Sequence, residues 1–129
     1  MGTATLVGYE IAEGQRLIDA LNAAGVLVDS ALWFYAIEPE TWRLMMTSPS
    51  YDKKGPLKTY DEILSVFCEV KPELKIDWTA LVAVSVKHNL IQGLRELQQR
   101  YNSSFSGRRI TNQRINQTYV EDAYIYQIK

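Results

Sequence analysis

A single α+β domain, built on a mixed five-stranded sheet with three helices mostly on one face, is the fold that this sequence predicts. Segments of helical and strand periodicity follow the order α-β-β-α-β-α-β-β. Helices between strands imply crossovers, while two strand pairs are separated only by turn residues, so parallel and antiparallel neighbours are both expected. No repeat, linker or low-complexity segment divides the 129 residues. The chain therefore reads as one domain over 1–129, long enough to bury a real core.

The first helix lies in "IAEGQRLIDALNAAG", where Ile11, Gly14, Leu17, Ile18, Leu21 and Ala24 recur at helical spacing and Gly25 supplies a left-handed C-cap. "ALWFYAI" (31–37) is apolar on both faces and predicts a buried central strand. "EPET" (38–41) makes a turn on Pro39, and "WRLMMTS" (42–48) returns with Trp42, Leu44 and Met46 on one face. "PSYDKKG" reads as a loop. Pro56 opens a second helix carrying the stripe Leu57, Tyr60, Ile63, Leu64, Phe67 and Val70. "IDWTALVAVSV" (76–86) predicts the third strand, with Trp78 on one face of its alternation. The third helix is capped within "KHN" and turns Leu90, Ile91, Leu94, Leu97 and Tyr101 inward. After the loop "NSSFSG", the remaining stretch predicts two strands joined at one of its Asn-Gln pairs.

Composition excludes more than it assigns. The chain is 47% hydrophobic and 22% charged with a net charge of −1, as in an ordinary globular protein. The charge is unevenly placed, however. Residues 1–94 hold 12 acidic and 8 basic side chains, and residues 95–129 hold 3 acidic and 6 basic, five of the latter arginines. Arginine favours bidentate contact with phosphate or carboxylate, so Arg108, Arg109 and Arg114 are candidate contacts to a partner, nucleic acid included. Cys68 is the single cysteine and rules out an intramolecular disulfide, which suits a reducing cytoplasm. In its apolar helical setting it is expected to be buried. No apolar run reaches 18 residues, and the start resembles neither a signal peptide nor a myristoylation site. A cytoplasmic protein without a membrane partner is the expectation. The signatures of dinucleotide, P-loop, zincin and α/β-hydrolase enzymes are missing, and no cofactor is expected.

His88, the only histidine, is a candidate general base, but a helix-entry residue is the plainer account. Glu121 and Asp122 raise a sharper question, because they interrupt the strand "TYVEDAYIYQI" (118–128). On unbroken alternation Asp122 points the same way as Val120, Tyr124, Tyr126 and Ile128. An unpaired carboxylate buried there would cost several kcal/mol, which leaves three accounts. A β-bulge turns the pair outward. Alternatively, one acid pairs with Arg109 or Arg114 across the hairpin. In the third, Glu121 and Asp122 join Glu38, Glu40 or Asp77 around a divalent metal for phosphodiester chemistry.

"ALWFYAIEPETWRLMMTSP", "GPLKTYDEI" and "RINQTYVEDAYIYQI" together resemble a family of small uncharacterised bacterial proteins over roughly residues 11–128. The resemblance implies one bacterial-type α+β domain and no defined activity, with "VEDAYIY" as its most distinctive piece. Three functions follow as expectations. The first is a non-catalytic domain acting through a protein partner or a homodimer, with Tyr124 and Tyr126 on an edge strand as its contact. The second is a metal-dependent nuclease or phosphodiesterase. The third is a nucleic-acid binder using the arginine-rich C-terminal region.

Overall fold

The computed structural model describes residues 8–36 and 40–129. The elements run α1 (Gly8–Ala23), β1 (Ser30–Ala36), β2 (Thr41–Thr47), α2 (Pro49–Lys54), α3 (Pro56–Glu69), a 3-10 turn (Trp78–Ala80), β3 (Leu81–Val84), α4 (Asn89–Tyr101), β4 (Arg109–Ile115) and β5 (Thr118–Gln127). One mixed sheet forms in the order β3-β2-β1-β5-β4. β2 and β3 are parallel and every other neighbouring pair is antiparallel. The predicted α+β class and five-stranded mixed sheet hold, and β1 is the central strand.

The two faces of the sheet bury separate cores. On one face, α1 and α3 pack Leu17, Leu21 and Ile63 against Trp33, Leu44 and Met46. On the other, α4 packs Leu90, Ile91 and Leu94 against Leu32, Ile115 and Ile125. Because β3 and β4 lie at opposite edges, α4 carries the chain across the second face of the sheet. β1 feeds both cores, which is why its sequence is apolar without alternation.

Three local expectations are corrected. The segment expected to be a loop at 49–55 contains α2, because Ser48 caps it by accepting from the Ser50 N–H and Pro49 occupies its first turn. The third strand is only four residues long. Asp77 instead accepts from the Thr79 N–H and winds 78–80 into a 3-10 turn, leaving Trp78 58% exposed. Cys68 is exposed rather than buried.

The alternation expected of β5 breaks twice. Val120 and Ala123 both belong to the α4 core, although they are three residues apart. Between them Glu121 falls opposite Asn112, whose φ of 50° is left-handed, and the β4–β5 ladder skips this position. Further on, Ala31 pairs with Gln127 while Leu32 pairs with Ile125, so Tyr126 is an extra residue in β5. Asp122 consequently shares its face with Tyr124 and Tyr126 but not with Val120 or Ile128.

Close approach of α1 depends on Gly14. A Cβ at that position would collide with the Tyr126 hydroxyl and stand 3.0 Å from Trp33 Nε1. That hydroxyl donates to the Ile11 carbonyl and accepts from Trp33 Nε1 at 2.8 Å, so it ties α1 to β1 and β5. Burial pushes the Tyr126 phenol well above its usual range and keeps it a donor.

Candidate binding groove between α4 and β4

Asp122 is held by Arg109. The guanidinium donates from Nε to Oδ1 at 3.1 Å and from Nη2 to Oδ2 at 3.2 Å. The same guanidinium lies 5.7 Å from the centre of the Trp42 ring. In the ladder Asp122 faces Thr111, so Arg109 reaches it diagonally from two residues away. Both oxygens of Asp122 are thus occupied by a fixed cation. Among the described residues no group of three His, Cys, Asp or Glu side chains could hold a metal ion. Glu38 lies outside the described residues. Glu40 and Asp77 line a separate hollow beside Trp42 and Lys75, where Asp77 is committed to its 3-10 cap.

His88 is the N-cap of α4. Its Nδ1 accepts from the Leu90 N–H at 3.2 Å, and desolvation lowers its pKa below the ordinary 6.5. An acceptor at Nδ1 requires the neutral ring, so the cap and the lowered pKa describe one state.

Tyr124 and Tyr126 do not form an exposed edge. β5 lies inside the sheet between β1 and β4, and the two rings meet edge to face at 5.3 Å, packed against the α1 and α3 core. A terminal hairpin places only one of its strands at the rim, and here it is β4. That strand carries the left-handed Asn112 and two arginines, features that discourage strand addition. At the opposite rim, the Ala83 N–H of β3 donates to the Tyr60 hydroxyl at 2.8 Å. Both edges are blunted.

The open basic surface lies between α4 and β4. A hollow of about 390 Å³ has Leu97, Phe105 and Ile110 among its apolar lining, with Tyr101, Arg108 and Gln113 around it. Arg108 sits 5.7 Å from the Phe105 ring centre and donates to Ser103 Oγ at 3.2 Å. A second hollow of about 230 Å³ shares Leu97 with the first and adds Arg100, Arg114 and Glu96. Gly93 lets the β4–β5 turn approach α4, since a Cβ there would stand 2.6 Å from Ile115 Cγ2. The Asn116 side chain then donates to the Asn89 carbonyl at 2.9 Å. Gln98 braces the other end, accepting from the Phe105 N–H and donating to the Ile128 carbonyl.

Among the described residues, ion pairs join Arg16 to Glu13, Lys54 to Glu62, Lys71 to Glu73 and Arg109 to Asp122. Arg100, Arg108 and Arg114 belong to none of them. Of the arginines expected to meet a partner, Arg108 and Arg114 line this groove with no carboxylate partner among the described residues, whereas Arg109 is occupied by Asp122. Arg100 and Tyr101 complete the surface; Arg100 was expected only as one of the basic residues of 95–129, and the expectation that Tyr101 turns into the core is corrected. Tyr101 continues the apolar stripe of α4 by spacing, yet as the last residue of that helix it is 66% exposed. Among the described residues no helix is long and apolar enough to cross a membrane. In comparisons with known proteins the chain matches no family model, no curated protein and no solved structure.

Proposed function

We propose that this chain is a non-catalytic binding domain whose partner presents anionic groups to the groove between α4 and β4. The observation that carries this reading is the set of three arginines, Arg100, Arg108 and Arg114, around an apolar-floored groove and outside every ion pair among the described residues. Arginines serving only the fold are expected to sit like Arg109, beside a carboxylate and over a ring. Arg100 does have a local role, since a cation in the last turn of a helix complements its dipole. That account does not extend to Arg108 or Arg114, which lie off the helix.

Catalysis is the weaker reading, because Asp122 is neutralised by Arg109 and His88 spends Nδ1 on its helix. Self-association through β5 is weaker still, since that strand has neighbours on both sides. A bacterial, cytoplasmic setting accords with the proposal, and an exposed lone thiol suits a reducing compartment.

Chromatography on immobilised heparin tests the reading. The protein should be retained at low ionic strength despite its net charge of −1. The triple variant Arg100→Ala, Arg108→Ala, Arg114→Ala should elute at clearly lower salt. Equal elution of the two proteins would remove the groove from consideration.

A further inference from the structure

We infer that the anionic partner of this groove is a single-stranded nucleic acid, with phosphates on the arginines and a base stacked on Tyr101. The inference rests on the binding role proposed for the groove and names the occupant.

Three features select it. The first is exposed aromatic area beside unpaired guanidinium groups. Tyr101 is 66% exposed and lines the same hollow as Arg108, while Arg100 precedes it on α4. A ring left in water next to cations serves a ligand having both a flat apolar face and a charge, as every nucleotide has. An acidic peptide supplies the charge without a flat face at each unit.

The second is Arg108 itself. It is held over the buried Phe105 ring and steadied by Ser103, so the guanidinium is already positioned by the protein. A positioned guanidinium offers a plane for stacking as well as donors for phosphate.

The third is the shape and charge of the surface. The two hollows share Leu97 in their lining, with Arg108 and Arg109 beside one and Arg100 and Arg114 beside the other. Among the described residues, Glu96 is the one carboxylate that lines either hollow. A duplex keeps its bases stacked inside and has none to place on Tyr101. A flexible strand with unstacked bases can use both the ring and the apolar floor. Gln113 and Ser103, on the same walls, offer hydrogen bonds to base edges without demanding one sequence.

Fluorescence anisotropy with a labelled mixed-sequence 12-nucleotide single strand, as DNA and as RNA, tests the inference. The competitors are the same sequence as a duplex and a poly-glutamate peptide of matched charge. The single strand should bind more tightly than either competitor. Tyr101→Ala should weaken it about tenfold, within the range expected for one stacked base. Replacing Arg100, Arg108 and Arg114 by Ala should flatten the dependence of log affinity on log salt by about 2, at roughly 0.7 per phosphate contact. Melting curves confirm that each variant is folded. If poly-glutamate competes as well as the single strand, or Tyr101→Ala changes nothing, the nucleic-acid inference is overturned while the anionic groove stands. If neither heparin nor any oligonucleotide binds at low salt, both fall.

Discussion

Arg109 grips Asp122 with two hydrogen bonds, diagonally across the β4–β5 hairpin, while its guanidinium faces the indole of Trp42. The contact explains why an acid stands in the middle of an apolar strand. Side-chain exposures of 39% and 23% mean that water still screens the pair. An ion pair of this kind contributes about 0.5–1 kcal/mol, and the Trp42 contact adds a similar amount. Asp122→Asn should therefore lower the melting temperature by about 4 °C. Arg109→Met should cost a comparable amount, and the double variant should cost less than the sum. Additive losses would show that the two residues do not act as a pair.

The contact between Gly14 and Tyr126 yields a second pair of variants. Gly14→Ala brings a methyl group into the Tyr126 hydroxyl, and overpacking of this kind costs about 1–3 kcal/mol. Tyr126→Phe deprives Trp33 Nε1 of its acceptor and costs about 1–2 kcal/mol. Combined, the substitutions relieve each other, because the hydroxyl that the methyl group strikes is gone. Urea denaturation of all four proteins should show the double variant clearly more stable than additivity allows.

His88 predicts a pH dependence. Its folded pKa is depressed by desolvation below the ordinary 6.5, so the unfolded chain binds the proton more readily. The contribution is intact above about pH 6.5, near the unfolded value. It is lost as the pH falls through the lower folded pKa. His88→Asn keeps a capping acceptor without a titrating ring. The stability difference between wild type and His88→Asn should drift against the wild type on acidification from neutrality. A pH-independent difference would deny that the neutral ring caps α4.

The β4–β5 turn offers a stabilising change. Asn116 and Gln117 have φ of 48° and 71°, the left-handed pair of a type I′ turn. Asn adopts this conformation at little cost, whereas Gln is strained in it. Gln117→Gly should raise stability by about 0.5–1 kcal/mol, an amount visible as a higher melting temperature. An unchanged or lower temperature would mean that the Gln117 side chain contributes something that its exposed position does not reveal.

The sequence was most legible where one physical rule governed a whole segment. Unbroken apolar character marked β1 as central, and Pro56 marked the start of α3. The final hairpin was visible as well, although only geometry chose Asn116-Gln117 over Asn112-Gln113. Both pairs carry left-handed Asn residues, so composition did not separate them. Errors arose where capping beat periodicity. Ser48 and Asp77 each wound a segment that alternation or charge alone assigned otherwise. The orientation of Asp122 was misread with respect to Val120, because alternation breaks at Glu121 where β5 faces a left-handed Asn112 in β4. Its pairing with Arg109 was nonetheless among the readable possibilities, since charge complementarity across a hairpin does not require exact register. The groove was half-legible. Its arginines stood out as a charge shift, but Tyr101 has the spacing of a core residue, and only the structure shows that the last residue of α4 is exposed.

The central claim is that the α4–β4 groove is the working surface of this protein. Amide NMR during titration with a short single-stranded oligonucleotide tests it most directly. The account predicts shifts concentrated in 97–114, including Tyr101, Arg108 and Gln113, with Tyr124, Tyr126 and the buried α1 face unmoved. Shifts confined to α1, α3 or the hollow beside Trp42, with 97–114 silent, would contradict it.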